Sequence, residues 1–298
     1  MLILHIDTGA EMRGGQWQAL YLLRGLDAAG IGVRLLAPAG SPLLLAALAQ
    51  NLDARPLSFR TLITASSGAD LVHAHDAHAH TFALFTSKPV VVSRRVAFPV
   101  GHSFASRWKY RRAAHFIAVS ECVRGILLDA GIPGDRITVV YDGVSIPPAF
   151  KAEARTRVLA LDSSDPGKGK AILEETAALC HVPISFSTSL PRDLPEAAMF
   201  VYITSAEGLG SAALLAMAYG VPVIASDVEG LREVVRDGET GLLTSNEPAE
   251  VARAIERLLQ DRALADRLAA RARMRVEKEF SLDRMVNGTL RVYEKILA

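Results

Sequence analysis

Glu207-Gly208-Leu209-Gly210 is the stretch whose residue types and spacing best fit chemistry. A short apolar run, Phe200–Thr204, precedes it, and an Ala- and Leu-rich run, Leu209–Tyr219, follows. A second short apolar run, Val221–Ser226, comes next. Val- and Ile-rich runs of this length read as parallel strands buried on both faces, and the run between them reads as an internal helix. The tetrapeptide then falls on a strand-to-helix turn, at the carboxyl end of a sheet, where open α/β sheets bind ligands. Glycines let a ligand approach the backbone, and a helix N-terminus attracts an anion. A carboxylate is awkward beside a phosphate but suits hydroxyl groups, such as those of a sugar. As a turn residue, Glu207 is expected to be removable at little cost to folding. On spacing alone, a buried βαβ unit with an incidental surface Glu stays open.

Four further stretches carry candidate groups. Asp165-Pro166-Gly167-Lys168-Gly169-Lys170 leads into a helical run, Ala171–Cys180; Lys168 is a candidate phosphate ligand or a plain turn lysine. Gly14-Gly15 opens a helix over Trp17–Ala29, where close backbone contact with a phosphate or sugar competes with a simple turn. His73 and His75 point to one face of a strand over 69–74, and with Asp76 they are plausible metal ligands. No further partner follows at a usual spacing, so no metal is expected. Between Lys88 and Arg112 stand Lys88, Arg94, Arg95, Arg107, Lys109, Arg111 and Arg112, with no Asp or Glu among them. Phe98, Phe104, Trp108 and Tyr110 are interleaved. Such a segment fits an anionic membrane surface or an acceptor bearing phosphate or carboxylate, and equally a solvated helix face.

The elements that must position these groups alternate. Strands are expected at Leu2–Ile6, Val33–Ala37, 69–74, Val90–Ser93, Phe116–Ser120, Ile137–Tyr141, Val158–Leu161 and Ile184–Ser187, besides the two around Glu207. Helical runs lie between them, and Leu282–Leu297 is a last helix behind the N-cap Ser281. Alternation of this kind gives mainly parallel sheets, in one large or two medium domains for 298 residues. Hydrophobic residues make up 50% and charged ones 22%, which suits a chain with a real core. A net charge of +1 implies no nucleic-acid partner. The first loop lacks G-x-G-x-x-G, which argues against a dinucleotide dehydrogenase. Cys122 and Cys180 have no metal spacing and suggest a reducing compartment. With no leader pattern at the N-terminus and no bilayer-length apolar run, a cytoplasmic location is expected.

EGLG, the small-residue run ending AMAYG, VPVIASDVEGLREVV and DGETGLL together resemble the donor-binding half of family 4 glycosyltransferases. RGGQWQ near the start and SRRVAFP…SRWKYRRAAHFIAVSE extend the likeness to a bacterial branch associated with cell-envelope saccharides. The resemblance implies a GT-B fold: two Rossmann-like parallel-sheet domains facing a cleft, with a C-terminal helix crossing back to the first. The expected division is 1–147 with 282–298, and 148–281, with Ser145–Pro148 as the hinge. It implies a retaining transfer from a nucleotide-diphosphate sugar, linked to UDP, ADP or GDP, to a cell-envelope saccharide or lipid acceptor. No metal and no cofactor besides the donor are implied.

In this resemblance Glu207 contacts the donor sugar, and Gly208, Leu209, Gly210 and Ser211 bring backbone amides to the diphosphate. Lys168 is half of a cation clamp, Gly14 and Gly15 face the donor, His75 lines the cleft, and Arg95 falls where many members place a His. Glu207, Arg95 and His75 are thus the expected catalytic residues. Three features depart from the pattern. Leu215 stands where a second acidic residue binds the ribose, Ser163 stands where the clamp has an Arg, and about one βα unit is missing before Phe200. Lys170 is a candidate substitute for the absent Arg. These departures keep a second reading open, a catalytically degenerate protein serving as a binding or assembly subunit. Residues 94–112 are the expected contact for an anionic membrane surface, at the inner membrane face.

Overall fold

Leu2–Ile6 forms β1, an inner strand of a seven-stranded parallel sheet in the computed structural model, which describes residues 1–101, 103–148 and 155–298. The chain divides into two compact units, Met1–Gly143 with Leu282–Ala298, and Val144–Ser281.

In the first unit the strands are β1, β2 (Gly32–Ala37), β3 (Asp53–Pro56), β4 (Leu71–Ala74), β5 (Val90–Arg94), β6 (His115–Ala118) and β7 (Ile137–Val139). Their order is β3-β2-β1-β4-β5-β6-β7. The winding reverses between β1 and β4, so their carboxyl ends form the switch point of a doubly wound sheet. Ile3, Leu4, Ile6, Leu71, Val72 and Val91 are fully buried, as strands covered on both faces require. Helix Gly14–Ala28 buries Leu20, Leu22, Leu23 and Leu26. The C-terminal helix, Leu282–Leu297, packs on it: a Cβ on Gly25 would lie 2.3 Å from Val286 Cγ2, so only glycine permits this approach. That helix also carries the fully buried Tyr293 into the core.

The second unit has five parallel strands, β8 (Arg157–Leu161), β9 (Ile184–Ser187), β10 (Ala197–Tyr202), β11 (Val223–Ser226) and β12 (Leu242–Thr244), in the order β12-β11-β10-β8-β9. Here the winding reverses between β8 and β10. The loops after these two strands hold Lys168 and Glu207.

Several boundaries differ from the sequence reading. β10 runs from Ala197 to Tyr202, not Phe200–Thr204, because Thr204 leaves the ladder and gives its N–H to Ser226 Oγ at 2.8 Å. β11 begins at Val223, after Pro222, which has no N–H for a ladder. The expected helix Leu209–Tyr219 is shorter, Ser211–Ala218, starting behind Gly210 at φ +100°. β3 and the helix Phe59–Ser67 carried no clear signal: β3 is a mostly exposed edge strand ending in Pro56.

Candidate functional site

In the second unit, Lys168 ends a short 3-10 turn, Pro166–Lys168, that Asp165 caps through Gly167 N at 2.9 Å. Gly169 follows at φ +66°; a Cβ there would lie 2.8 Å from Ile203 O, so the turn is pressed onto the end of β10. Ser205 N donates to Gly167 O at 2.9 Å and closes the contact. Lys168 Nζ lies 2.7 Å from Glu207 Oε2 and 3.1 Å from Tyr202 Oη. The Tyr202 hydroxyl donates to the same Glu207 oxygen at 2.5 Å. Burial and the facing Glu207 push the Tyr202 phenol well above its usual pKa, which keeps it a donor. Gly208 N donates to Glu207 Oε1 at 3.1 Å.

Glu207 is therefore no free surface group. Its side chain is 17% exposed, against the expectation of a residue removable at little cost. Gly230 backs the loop from behind: a Cβ there would lie 2.1 Å from Glu207 O. Gly210 precedes helix Ser211–Ala218 and has no side chain to cap it. The first N–H groups of that helix thus form an anion-seeking end beside Lys168 and Glu207. Leu209 has its side chain in the core, so only its backbone is offered. Leu215 stands one turn further along the helix and is apolar and half-buried.

Ser163 does not take over a cation's role. Its Oγ accepts Asp165 N at 3.2 Å and shapes the turn. Lys170 is not a substitute either: its Nζ is paired with Asp162 at 2.9 Å and lies over the Phe186 ring.

In the first unit the loop after β1 is tied shut. Asp7, buried, accepts from Gly9 N at 2.8 Å and Gln16 Nε2 at 3.1 Å; burial, first, raises its pKa. Asp76 accepts Thr8 N at 2.6 Å and also caps the helix Ala77–Ala83. Gly14 and Gly15 then open their helix, and the Cβ position of Gly15 is 3.9 Å from Arg95 Cδ. Arg95 is 14% exposed; its Nε donates to Asp142 Oδ1 at 3.1 Å and one terminal nitrogen faces His75 Nδ1 at 3.4 Å.

The protons of this cluster can be placed. Arginine only donates, so His75 Nδ1 accepts and its proton sits on Nε2. That nitrogen lies 2.9 Å from His5 Nδ1, which must then accept, leaving the His5 proton on Nε2. His5 Nε2 is buried with no hydrogen-bond partner. His73 sits between Tyr293 Oη at 2.5 Å and Ser93 Oγ at 2.8 Å. Burial lowers all three pKa values, His5 to about 3, so the rings stay neutral.

His5, His73 and His75 each offer a nitrogen within 4.8 Å of the others, a gathering the sequence reading missed because His5 lies far upstream. A metal held by all three rings would have to break one of the hydrogen bonds at His73 and one of those at His75, since both nitrogens of each ring are already engaged. The signal for His5 was a polar residue inside an otherwise apolar buried strand.

The basic segment is narrower than expected. Arg94 is buried, donating to Tyr110 Oη at 2.7 Å and to Phe98 O, and Tyr110 is itself buried against Phe116. Arg95 belongs to the histidine cluster. What remains exposed is Arg107, Arg111 and Arg112, with Phe98, Phe104 and Trp108 beside them, while Lys109 is half-buried and its Nζ donates to Ala77 O at 2.9 Å.

The sequence matches the family description "Glycosyltransferase Family 4" over residues 12–146 and "Glycosyl transferases group 1" over 181–275. It is 41% identical over 130 residues to a D-inositol 3-phosphate glycosyltransferase of Salinispora arenicola, covering 43% of this chain and 29% of that protein. It is 38% identical over 112 residues to an alpha-maltose-1-phosphate synthase of Mycobacterium tuberculosis, covering 35% of this chain and 29% of that protein. The matched stretch thus spans less than a third of either relative. In structure the chain is similar to Anabaena Alr3699/HepE in complex with UDP and glucose, with a TM-score of 0.87 at 16% identity, covering 98% of this chain and 99% of that one. Sucrose-phosphate synthase from Thermosynechococcus elongatus gives 0.78 at 18%, covering 99% and 98%. The fold is GT-B.

Proposed function

We propose a reaction for a chain that belongs to the family 4 glycosyltransferases: retaining transfer of a sugar from a nucleotide-diphosphate sugar to a saccharide or lipid-linked acceptor of the cell envelope. The observation that carries it is the meeting of Lys168, Glu207 and an uncapped helix N-terminus at the switch point of the second sheet. A cation and converging amides suit a leaving diphosphate, and a fixed carboxylate suits sugar hydroxyls. Gly208, Leu209, Gly210 and Ser211 supply the amides. In the first unit Arg95, held by Asp142 and His75 beside Gly15, is a fixed cation for an anionic group of the substrates. His75 serves there through its lone pair on Arg95, as a residue that orients the guanidinium. The reading calls for no cofactor besides the donor.

Donor affinity is expected to be weak. A ribose held by a carboxylate gains charge-assisted hydrogen bonds of about 1.5–3 kcal/mol each. Leu215 supplies none, and Ser163 leaves the diphosphate one cation short. Together these cost about two to four factors of ten. Calorimetry with UDP-, ADP- and GDP-hexoses should give dissociation constants nearer millimolar than micromolar, and Leu215→Glu should tighten them. Micromolar binding by the wild type would mean that another residue holds the ribose. Binding of no nucleotide sugar, even by Leu215→Glu, would favour the second reading, a degenerate member acting as a binding or assembly subunit, for which Leu215 and Ser163 speak.

The acceptor side is proposed to meet an anionic membrane surface through residues 94–112, from the cytoplasmic face. Among the described residues no helix is long and apolar enough to cross a membrane. The helix Phe104–Arg112 sets Arg107, Lys109, Arg111 and Arg112 beside exposed Phe104 and Trp108. The wild type should bind anionic liposomes at low salt and lose them as salt rises. Replacing the four cations with Gln should remove the binding; a wild type that ignores such liposomes would rule this contact out.

A further inference from the structure

We propose that the Tyr202 hydroxyl is the positioning group that holds Glu207 in place when a diphosphate draws Lys168 away, and so sets the preference for a sugar-bearing nucleotide over the bare nucleoside diphosphate. The inference rests on the donor reading above.

Glu207 Oε2 serves two donors at once, Tyr202 Oη at 2.5 Å and Lys168 Nζ at 2.7 Å. The two donors differ in how firmly they are themselves fixed. Tyr202 is the last residue of β10, 5% exposed, with its ring stacked on Phe200 at 5.8 Å. A phenol has two side-chain torsions, and here packing fixes both. Lys168 ends a one-turn helix, and its ammonium rides on a four-carbon stem.

A diphosphate seated at the uncapped N-terminus of helix Ser211–Ala218 carries more negative charge than one carboxylate. It competes for the Lys168 ammonium, and the more mobile partner moves. Glu207 then keeps its charge close to the phosphates with its lysine gone. Among the described residues, the Tyr202 hydroxyl and Gly208 N are the remaining hydrogen-bond donors that hold it against that repulsion. A sugar attached to the diphosphate rewards a Glu207 that stays, because its hydroxyls donate to the carboxylate. A bare nucleoside diphosphate gives no such reward. The Tyr202 hydroxyl is thus required for the sugar's share of the binding and not for the nucleotide's.

The test is calorimetry and steady-state turnover on the full chain, wild type and Tyr202→Phe, with UDP and UDP-glucose and with the ADP and GDP counterparts. Phe keeps the ring, its stacking and its contact with Lys168, and removes one hydroxyl. The expected result is a nucleoside diphosphate affinity within about twofold of wild type, with the preference for the nucleotide sugar and kcat each reduced about tenfold, the equivalent of roughly 1.4 kcal/mol. A purely structural role would lower the melting temperature and move both ligands together, leaving the ratio unchanged. Should Tyr202→Phe not fold, Tyr202→Met fills the space without a hydroxyl and is expected to show the same loss of preference. A wild type that prefers a nucleotide sugar while the variant keeps that preference would overturn the role of Tyr202 alone. A wild type that binds none of these nucleotide sugars would overturn the donor reading and this inference with it.

Discussion

Glu207→Gln is expected to lower sugar transfer by about 10²–10³-fold while the protein still folds. Gln keeps the size and one acceptor oxygen; set toward Tyr202 it still accepts the phenol proton, while its NH2 group then faces Gly208 N, which loses its acceptor. What it loses is the charge that fixes Lys168 and the second strong acceptor for donor hydroxyls. Glu207→Ala is the poorer experiment. It strips the partly buried Lys168 and Tyr202 of their common partner, and breaking such a pair on one side can cost about 3–5 kcal/mol when it is fully buried. With the pair 17–23% exposed, the expected cost lies below that range. Activity measured with matched melting curves separates the two effects. Glu207→Gln that transfers as fast as wild type would remove Glu207 from the reaction.

The first unit is expected to lose much of its stability between pH 7.5 and pH 5.5. Burial, first in each case, holds His5 at about 3 and His80 and His115 at about 4, with His73 and His75 well below their usual value. Nearby cations push the same way: Lys109 on His80, Lys295 and Arg136 on His115, and Arg95 on His73 and His75.

The sign follows from proton counting. Unfolded histidines take up protons below about pH 6.5, whereas these folded ones do not, so the unfolded state binds more protons and stability is lost as the pH is lowered. Above that value these groups contribute no slope, and the loss ends only below their folded pKa values. At pH 5.5 an independent histidine of this kind costs about 1.4 kcal/mol. All five of these rings stay neutral in the folded unit, so their costs add to an upper limit of about 7 kcal/mol at pH 5.5.

Asp7 opposes this. Its folded pKa is raised, so its contribution is full at acid pH and is lost as pH rises through that folded value. Urea midpoints at pH 7.5, 6.5 and 5.5 test the balance, and His115→Gln should flatten the slope. A midpoint unchanged across this range would contradict neutral buried histidines.

The glycine and cation positions were legible in the sequence because each sits on a turn between two runs of clear period. Gly14, Gly15, Lys168, Glu207 and Gly210 all fall at carboxyl ends of strands that apolar runs announced. Partnership was not legible. Lys168 and Glu207 were both singled out, yet nothing in their spacing shows that they share an oxygen with Tyr202. Lys170 looked equivalent to a clamp residue, but its position across the turn turns it to Asp162.

The basic run 88–112 misled for a related reason. Composition counts a charge without its direction, and Arg94 and Arg95 point inward to Tyr110 and Asp142. His5 belongs with His73 only through the register of β1 on β4, a long-range pairing that one strand cannot announce.

The most direct test of the donor reading is the release of nucleoside diphosphate from UDP-, ADP- and GDP-hexoses, by wild type beside Glu207→Gln. The account expects slow but enzyme-dependent release from at least one donor, faster at concentrations approaching millimolar, and abolished in Glu207→Gln. No release from any donor by the wild type, or release that Glu207→Gln performs equally well, would contradict it.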